Sequence, residues 1–169
     1  MLYKVDRLFG RIGGTFQDLS WALMRLLGSA MFMTHGFSKL FGENPQVFQG
    51  GGMTTVSIGE SICFAMPMEI NALFIAGVIE LFGGLLLAIG LWTHLMAFFA
   101  LLLMVMAYLT AHLAWFPTLN RGELAAMYFL VYFVIFAFGG GQFSIDTWMA
   151  MRRQKKQEDR MEANLAKYG

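Results

Sequence analysis

One cysteine, three prolines, three histidines and 14% charged residues are all that this chain of 169 positions carries of these types. A single thiol, Cys63, cannot close an internal disulfide or form a CxxC pair, so any thiol-redox role needs a dithiol from a partner. Its simpler reading is a small apolar residue beside Phe64. Zinc lacks a ligand set, because no cysteine or second carboxylate accompanies the histidines. No phosphate loop, haem-type CxxCH or glycine-rich dinucleotide signature occurs, which excludes the commonest cofactor classes. The low charge, beside 57% hydrophobic residues, excludes a soluble domain of this size.

What is present is a set of long apolar runs. Roughly 20 apolar residues cross a bilayer, and four stretches qualify, at about 19–41, 70–92, 95–116 and 124–140. The first begins late, carries Arg25 and has no small-x-small site after it, so it reads as a retained helix. Lys4, Arg7 and Arg11 precede the first span; Arg152, Arg153, Lys155, Lys156, Arg160 and Lys167 follow the last. The long loop between the first two spans holds Glu43, Glu60 and Glu69 and no Lys or Arg. The positive-inside rule then places both termini in the cytoplasm. The expected fold is all-α: an integral-membrane four-helix up-down bundle over residues 1–148, then a basic cytoplasmic tail helix over 149–169. Residues 1–18 read as a basic approach at the membrane interface, broken at Gly13–Gly14. Thr93–His94 reads as a tight turn. In the long loop, Asn44-Pro45, Gly50–Gly52 and Pro67 are breakers, and Met53–Ala65 between them reads as a short surface helix. Glu158, Asp159 and Glu162 dilute the basic tail, which favours anionic lipid over nucleic acid as its partner.

Ionisable residues inside spans are costly and point to pairing or function. Arg25, His35 and Lys39 share one helical stripe with Gly28 and Phe32 at about 100° per residue. Glu80 lies roughly 15 Å into the second span, on a face with Ala76, Gly77, Gly83 and Gly84 that permits close helix approach. Depth favours Arg25 as its partner, giving a polar seam from Arg25 through Glu80. The simpler readings are snorkelling for Arg25 and Lys39 and a purely structural ion pair for Glu80. On the third span His94, Phe98, Leu101, Val105, Tyr108 and His112 recur on one face. His112 and Tyr108 share outer depth with His35 and Lys39, and Glu123 enters from the same side. His35, Lys39, Tyr108, His112 and Glu123 thus form a candidate pocket, and such a set suits a quinone headgroup, whose carbonyls need donors. No catalytic residue and no cofactor stands out beyond that. Copper is the competing ligand: Met31 and His35 lie one turn apart, Met66 and Met68 flank a residue, and there are 14 Met. Met also fills core and lipid-facing gaps.

These residues also form a known pattern. Arg25-Leu-Leu-Gly28, Phe32 and His35-Gly-Phe-Ser-Lys39-Leu resemble the first-helix motif of the DoxX family. Glu80-Leu-Phe-Gly-Gly through Gly90-Leu-Trp-Thr93 resembles its second; Asn120-Arg-Gly-Glu123 and Gly139-Gly-Gly-Gln-Phe-Ser144-Ile-Asp146 resemble its third and fourth. The resemblance implies a four-helix inner-membrane protein of bacteria or archaea, with Arg25, Gly36, Lys39, Glu80, Gly83, Glu123, Ser144 and Asp146 as its motif residues. Asp146 would cap the tail helix or pair at Arg25's end. The family is named for a subunit associated with quinol oxidase and thiosulfate:quinone oxidoreductase activity, is similar to MauE and has been linked to thiol-redox complexes. The first expectation is an accessory subunit of a respiratory or thiol-redox system, with a protein partner carrying the redox centre. A non-catalytic scaffold with structural ion pairs is the second, and a small-solute or copper-handling membrane protein the third. Further copies of the chain are candidate partners too.

Overall fold

The computed structural model describes residues 2–42, 53–58, 62–67 and 72–168. Glu43, Glu60, Glu69, Met68, Asn44-Pro45 and Gly50–Gly52 lie outside the described residues. Helix α1 (Leu2–Thr15) runs through Gly13–Gly14 and bends at Phe16 (φ −100°, ψ 7°) into α2 (Gln17–Phe41). The expected break therefore falls two residues later: glycine lowers helix stability by about 1 kcal/mol without forbidding the conformation.

Strands β1 (Met53–Ile58) and β2 (Ile62–Pro67) pair antiparallel, with Met53 opposite Pro67 and Ile58 opposite Ile62. The surface helix expected over Met53–Ala65 is thus corrected to a hairpin. The reason is legible in retrospect: Thr54, Thr55, Val56, Ile58, Ile62 and Phe64 are β-branched or aromatic, and Gly59-Glu60-Ser61 separates the two runs. Outside this hairpin the described elements are helical.

Helix α3 spans Ala72–Ile89, α4 Thr93–Ala111, α5 Glu123–Phe138 and α6 Ile145–Tyr168, with a 3-10 turn at Pro117–Asn120 before α5. Helices α3 and α4, with mean hydropathy 2.4 and 2.0, are long and apolar enough to cross a membrane, and α5 is apolar but shorter. The turn between α3 and α4 sits at Gly90–Trp92, and Thr93 opens α4 instead of forming the turn. Gly90 ends α3 at φ 70° and Trp92 follows at φ 51°, a region that glycine enters freely and tryptophan only when held. The tail helix starts at Ile145, four residues ahead of the expected 149.

Helix α2 lies along α3, α3 meets α4, α4 packs on α5, and α2 touches α5. Phe32, Leu87, Ala97, Ala100, Met104, Tyr128, Tyr132 and Ile135 form the core between them. Leu26, Leu27, Phe82, Leu102, Leu130 and Phe133 point outward and stay half exposed. A contiguous apolar exterior of this kind fits lipid better than water.

Candidate functional site

The centre of the site is an ion pair set by glycine. A Cβ on Gly36 would lie 2.5 Å from the Leu81 amide nitrogen and 2.8 Å from both Glu80 Cβ and Gly77 O. Only glycine lets α2 come this close to α3. Over Ile79–Gly83 the α3 backbone is wound as a π-turn, with Glu80 inside it. Such insertions re-aim a side chain and recur at functional sites. Here Glu80 is turned inward, 3% exposed, and both of its carboxylate oxygens accept from Lys39 Nζ. The Lys39 side chain is 31% exposed against 4% for Glu80. The pair is therefore open to the surroundings on the lysine side alone.

Aromatic side chains close the other side. The His35 ring meets Tyr128 edge-on at 6.2 Å, and His35 also lies within the electrostatic reach of Glu80. Tyr128 stacks on Tyr132 at 6.0 Å, and Phe32 leans on both at 5.7 and 4.9 Å. Tyr132 donates a long hydrogen bond to Gly28 O, 3.4 Å. The Tyr128 hydroxyl is buried and has no partner, and the same holds for Ser29 Oγ and, at the far end of α2, for Arg25 Nε. Buried polar groups are nearly always satisfied, so orphans of this kind mark a place for a ligand or a bound water. Tyr128, Tyr132 and Ser29 escaped the sequence reading. Tyr128 and Tyr132, one helical turn apart in an otherwise apolar span, were the signal for them.

Arg25 does not pair with Glu80, and the expected continuous seam is corrected here. Its guanidinium donates to Gly140 O at 2.7 Å and Phe143 O at 2.5 Å, at the start of the tail. Gly140 and Phe143 lie between α5 and α6, outside either helix's hydrogen-bond ladder, and a buried cation satisfies their carbonyls. Asp146 N donates to Gly90 O at 2.9 Å. The Asp146 carboxylate accepts from Trp92 N (2.9 Å), Thr93 N (2.8 Å) and Thr93 Oγ1 (2.7 Å). It thereby caps α4 from another helix and pins Trp92 in its left-handed conformation. Burial pushes this carboxyl up, but the bonds from Thr93 and Trp92 and the nearby His94 outweigh burial and hold it below the ordinary Asp range. Ser144 Oγ accepts from Thr147 N at 3.2 Å, the cap of α6, and Trp21 Nε1 donates to Gly139 O at 3.2 Å. This end is a structural knot of α2, α3, α4 and α6.

The five-residue pocket expected from His35, Lys39, Tyr108, His112 and Glu123 divides. His35 and Lys39 belong to the Glu80 cluster. Tyr108 donates to Ala114 O at 2.7 Å and His112 Nδ1 lies 3.0 Å from Asn120 O, both fixing the loop before α5. Gly122 packs on Tyr108 and His112, where a Cβ would be 2.7 and 3.0 Å away. Glu123 is exposed at the first turn of α5, where an acid complements the helix dipole. Tyr108 also lines an apolar pocket of about 380 Å³ with Met104, Trp115, Pro117, Ala125 and Phe129. Among the described residues no three His, Cys, Asp or Glu side chains gather in a metal-binding group.

An apolar helical chain with a buried glutamate paired to a partly exposed lysine, and a carboxylate-capped helix turn at one end, defines a membrane protein with a polar interior. The family model DoxX matches residues 20–113. An uncharacterized protein of Haemophilus influenzae is 35% identical over 130 residues, covering 74% of this chain and 87% of the relative. The chain belongs to the DoxX family, a family of membrane proteins. The matched stretch contains Arg25, Gly36, Lys39, Glu80 and Gly83, while Glu123, Ser144 and Asp146 lie beyond it. No solved structure matches the chain.

Proposed function

We propose that this is an inner-membrane protein with four crossings and cytoplasmic termini, an accessory subunit of a respiratory or thiol-redox system whose partner carries the redox centre. Its own contribution is a binding site for a quinone headgroup at Tyr128, His35 and the Lys39–Glu80 pair. The observation that carries this reading is Tyr128, 7% exposed, whose hydroxyl is without a hydrogen-bond partner and whose ring meets His35. A hydroxyl left unpaired in the core destabilises the fold by roughly 1–3 kcal/mol, and an acceptor brought by a ligand would relieve it.

The residues suit a carbonyl-bearing ring. Tyr128 would donate to one carbonyl, and an imidazole N–H of His35 would be a second donor within the same group. The stacked Tyr132 and the Phe32 ring give flat apolar faces. When bound, a quinone supplies two-electron, two-proton redox chemistry. Beside it the Lys39 ammonium would donate a proton and the Glu80 carboxylate would accept one, and the partial exposure of Lys39 gives protons a route out of the core. Ala125 lines the apolar pocket one turn before Tyr128 on α5, a position suited to the ligand's hydrocarbon chain.

Titration of the purified protein with a short-chain ubiquinone, followed by tryptophan quenching, tests the site. Saturable micromolar binding that weakens about tenfold in Tyr128→Phe is expected, the loss of one hydrogen bond of about 1.4 kcal/mol. No binding by the wild type, or equal binding by the variant, would refute the assignment and favour a scaffold whose charges only lock the helices.

A further inference from the structure

We infer that α1 is a docking face for the anionic lipid leaflet at the Arg25 end of the protein. At about 100° per residue, Val5, Phe9 and Ile12 fall within an arc of about 60° on this helix. All three are exposed, at 43%, 66% and 47%, and Phe16 at the bend continues the stripe at 54%. By sequence register, the basic positions Lys4, Arg7 and Arg11 centre about 140° away. A helix with a narrow apolar stripe and a basic opposite side lies in the plane of a membrane surface, stripe inward.

The tryptophans fix where that plane is. Trp21 is bound to Gly139 O, Trp92 N to Asp146, and Trp148 N to Ser144 O. All three thus sit at the end where α2 starts and α3 stops. Tryptophan concentrates at the membrane–water boundary. Helix α1 ends at Thr15, six residues before Trp21, so it reaches the same level. On α6, Arg152 lies 3.8 Å over the Trp148 ring, which puts cationic charge at this level from a second helix. Charge complementarity therefore selects anionic lipid as the occupant, each basic residue at such a surface strengthening association roughly fivefold.

The test uses the full-length protein with Cys63→Ser, reconstituted in vesicles of phosphatidylcholine alone or with one quarter phosphatidylglycerol. An environment-sensitive dye is attached at Phe9→Cys or at Gly14→Cys. Gly14 faces away from the stripe, and no atom lies within 4 Å of a Cβ placed there. Lipid brominated near the top of the acyl chain should quench the Phe9 label and spare the Gly14 label. The difference should grow with phosphatidylglycerol and shrink in Arg7→Glu/Arg11→Glu. Equal quenching of both labels by aqueous iodide would overturn the inference. So would excimer emission from pyrene at Phe9→Cys at high lipid dilution, which would put a second copy on this face.

Discussion

The Lys39–Glu80 pair should unfold asymmetrically when its halves are removed. Lys39→Met strands a carboxylate whose side chain is 4% exposed, whereas Glu80→Gln leaves an ammonium that is already 31% exposed and can turn outward. Removing one partner of a buried pair destabilises by about 3–5 kcal/mol, because the remaining charge stays uncompensated. The full penalty applies to Lys39→Met, for which about 3 kcal/mol is expected. Glu80→Gln should lose about 1–2 kcal/mol, since the partly exposed lysine can snorkel outward. In Lys39→Met/Glu80→Gln no charge is left, so the double variant should resemble Glu80→Gln and not the sum of the two. The coupling in this cycle then equals the cost of Lys39→Met, about 3 kcal/mol. Reversible unfolding in mixed micelles, followed by tryptophan fluorescence, measures all four proteins. A Lys39→Met protein within about 0.5 kcal/mol of wild type would refute the reasoning, because a carboxylate enclosed by α2 and α3 could not be so indifferent to its partner.

Tyr128→Phe should leave stability unchanged or raise it by about 1 kcal/mol, since an orphan hydroxyl is removed; thermal denaturation without added ligand reads this directly. Gly36→Ala should destabilise by about 1–3 kcal/mol, because the atoms it meets are mostly α3 backbone and cannot step aside; membrane abundance and the unfolding midpoint report it. Asp146→Asn keeps at most part of a three-bond cap and should lose about 1–3 kcal/mol. Because the folded-state Asp146 value is depressed, its stabilisation is complete above the unfolded Asp value and fades as pH falls toward the folded one. Acid unfolding curves of wild type and Asp146→Asn should therefore converge at low pH, and a constant gap would remove Asp146 as the cause.

Periodicity and length carry most of the helical layout. The apolar runs at 19–41 and 124–140 fall on the helices Gln17–Phe41 and Glu123–Phe138, since a long apolar run without breakers favours a helix. The hairpin was misread because a short stretch with mixed polarity fits either period, and its β-branched content had to decide. The partner of Glu80 was misread for a different reason. Depth along straight helices favours Arg25, but the π-turn at Ile79–Gly83 and the contact of Gly36 with α3 decide the pairing for Lys39, and neither is written in residue spacing. Tyr128 was missed because an apolar span with two tyrosines looks like packing until one hydroxyl is found without a partner.

The charges singled out in the sequence thus divide by what surrounds them. Arg25 ends on two main-chain carbonyls and Asp146 on two main-chain amides and a hydroxyl. A charge held by backbone has fixed geometry, and although Arg25 Nε is left buried without a partner, this end sets the angles at which α2, α3, α4 and α6 leave it. Glu80 instead faces a side-chain amine on a flexible stem, with an imidazole and an unpaired phenol nearby. Each of these groups can exchange its partner or its proton without moving the backbone. The proposed chemistry therefore rests on His35, Lys39, Glu80 and Tyr128. By the same logic, changes at Arg25 or Asp146 should lower the amount of folded protein before they alter anything it binds.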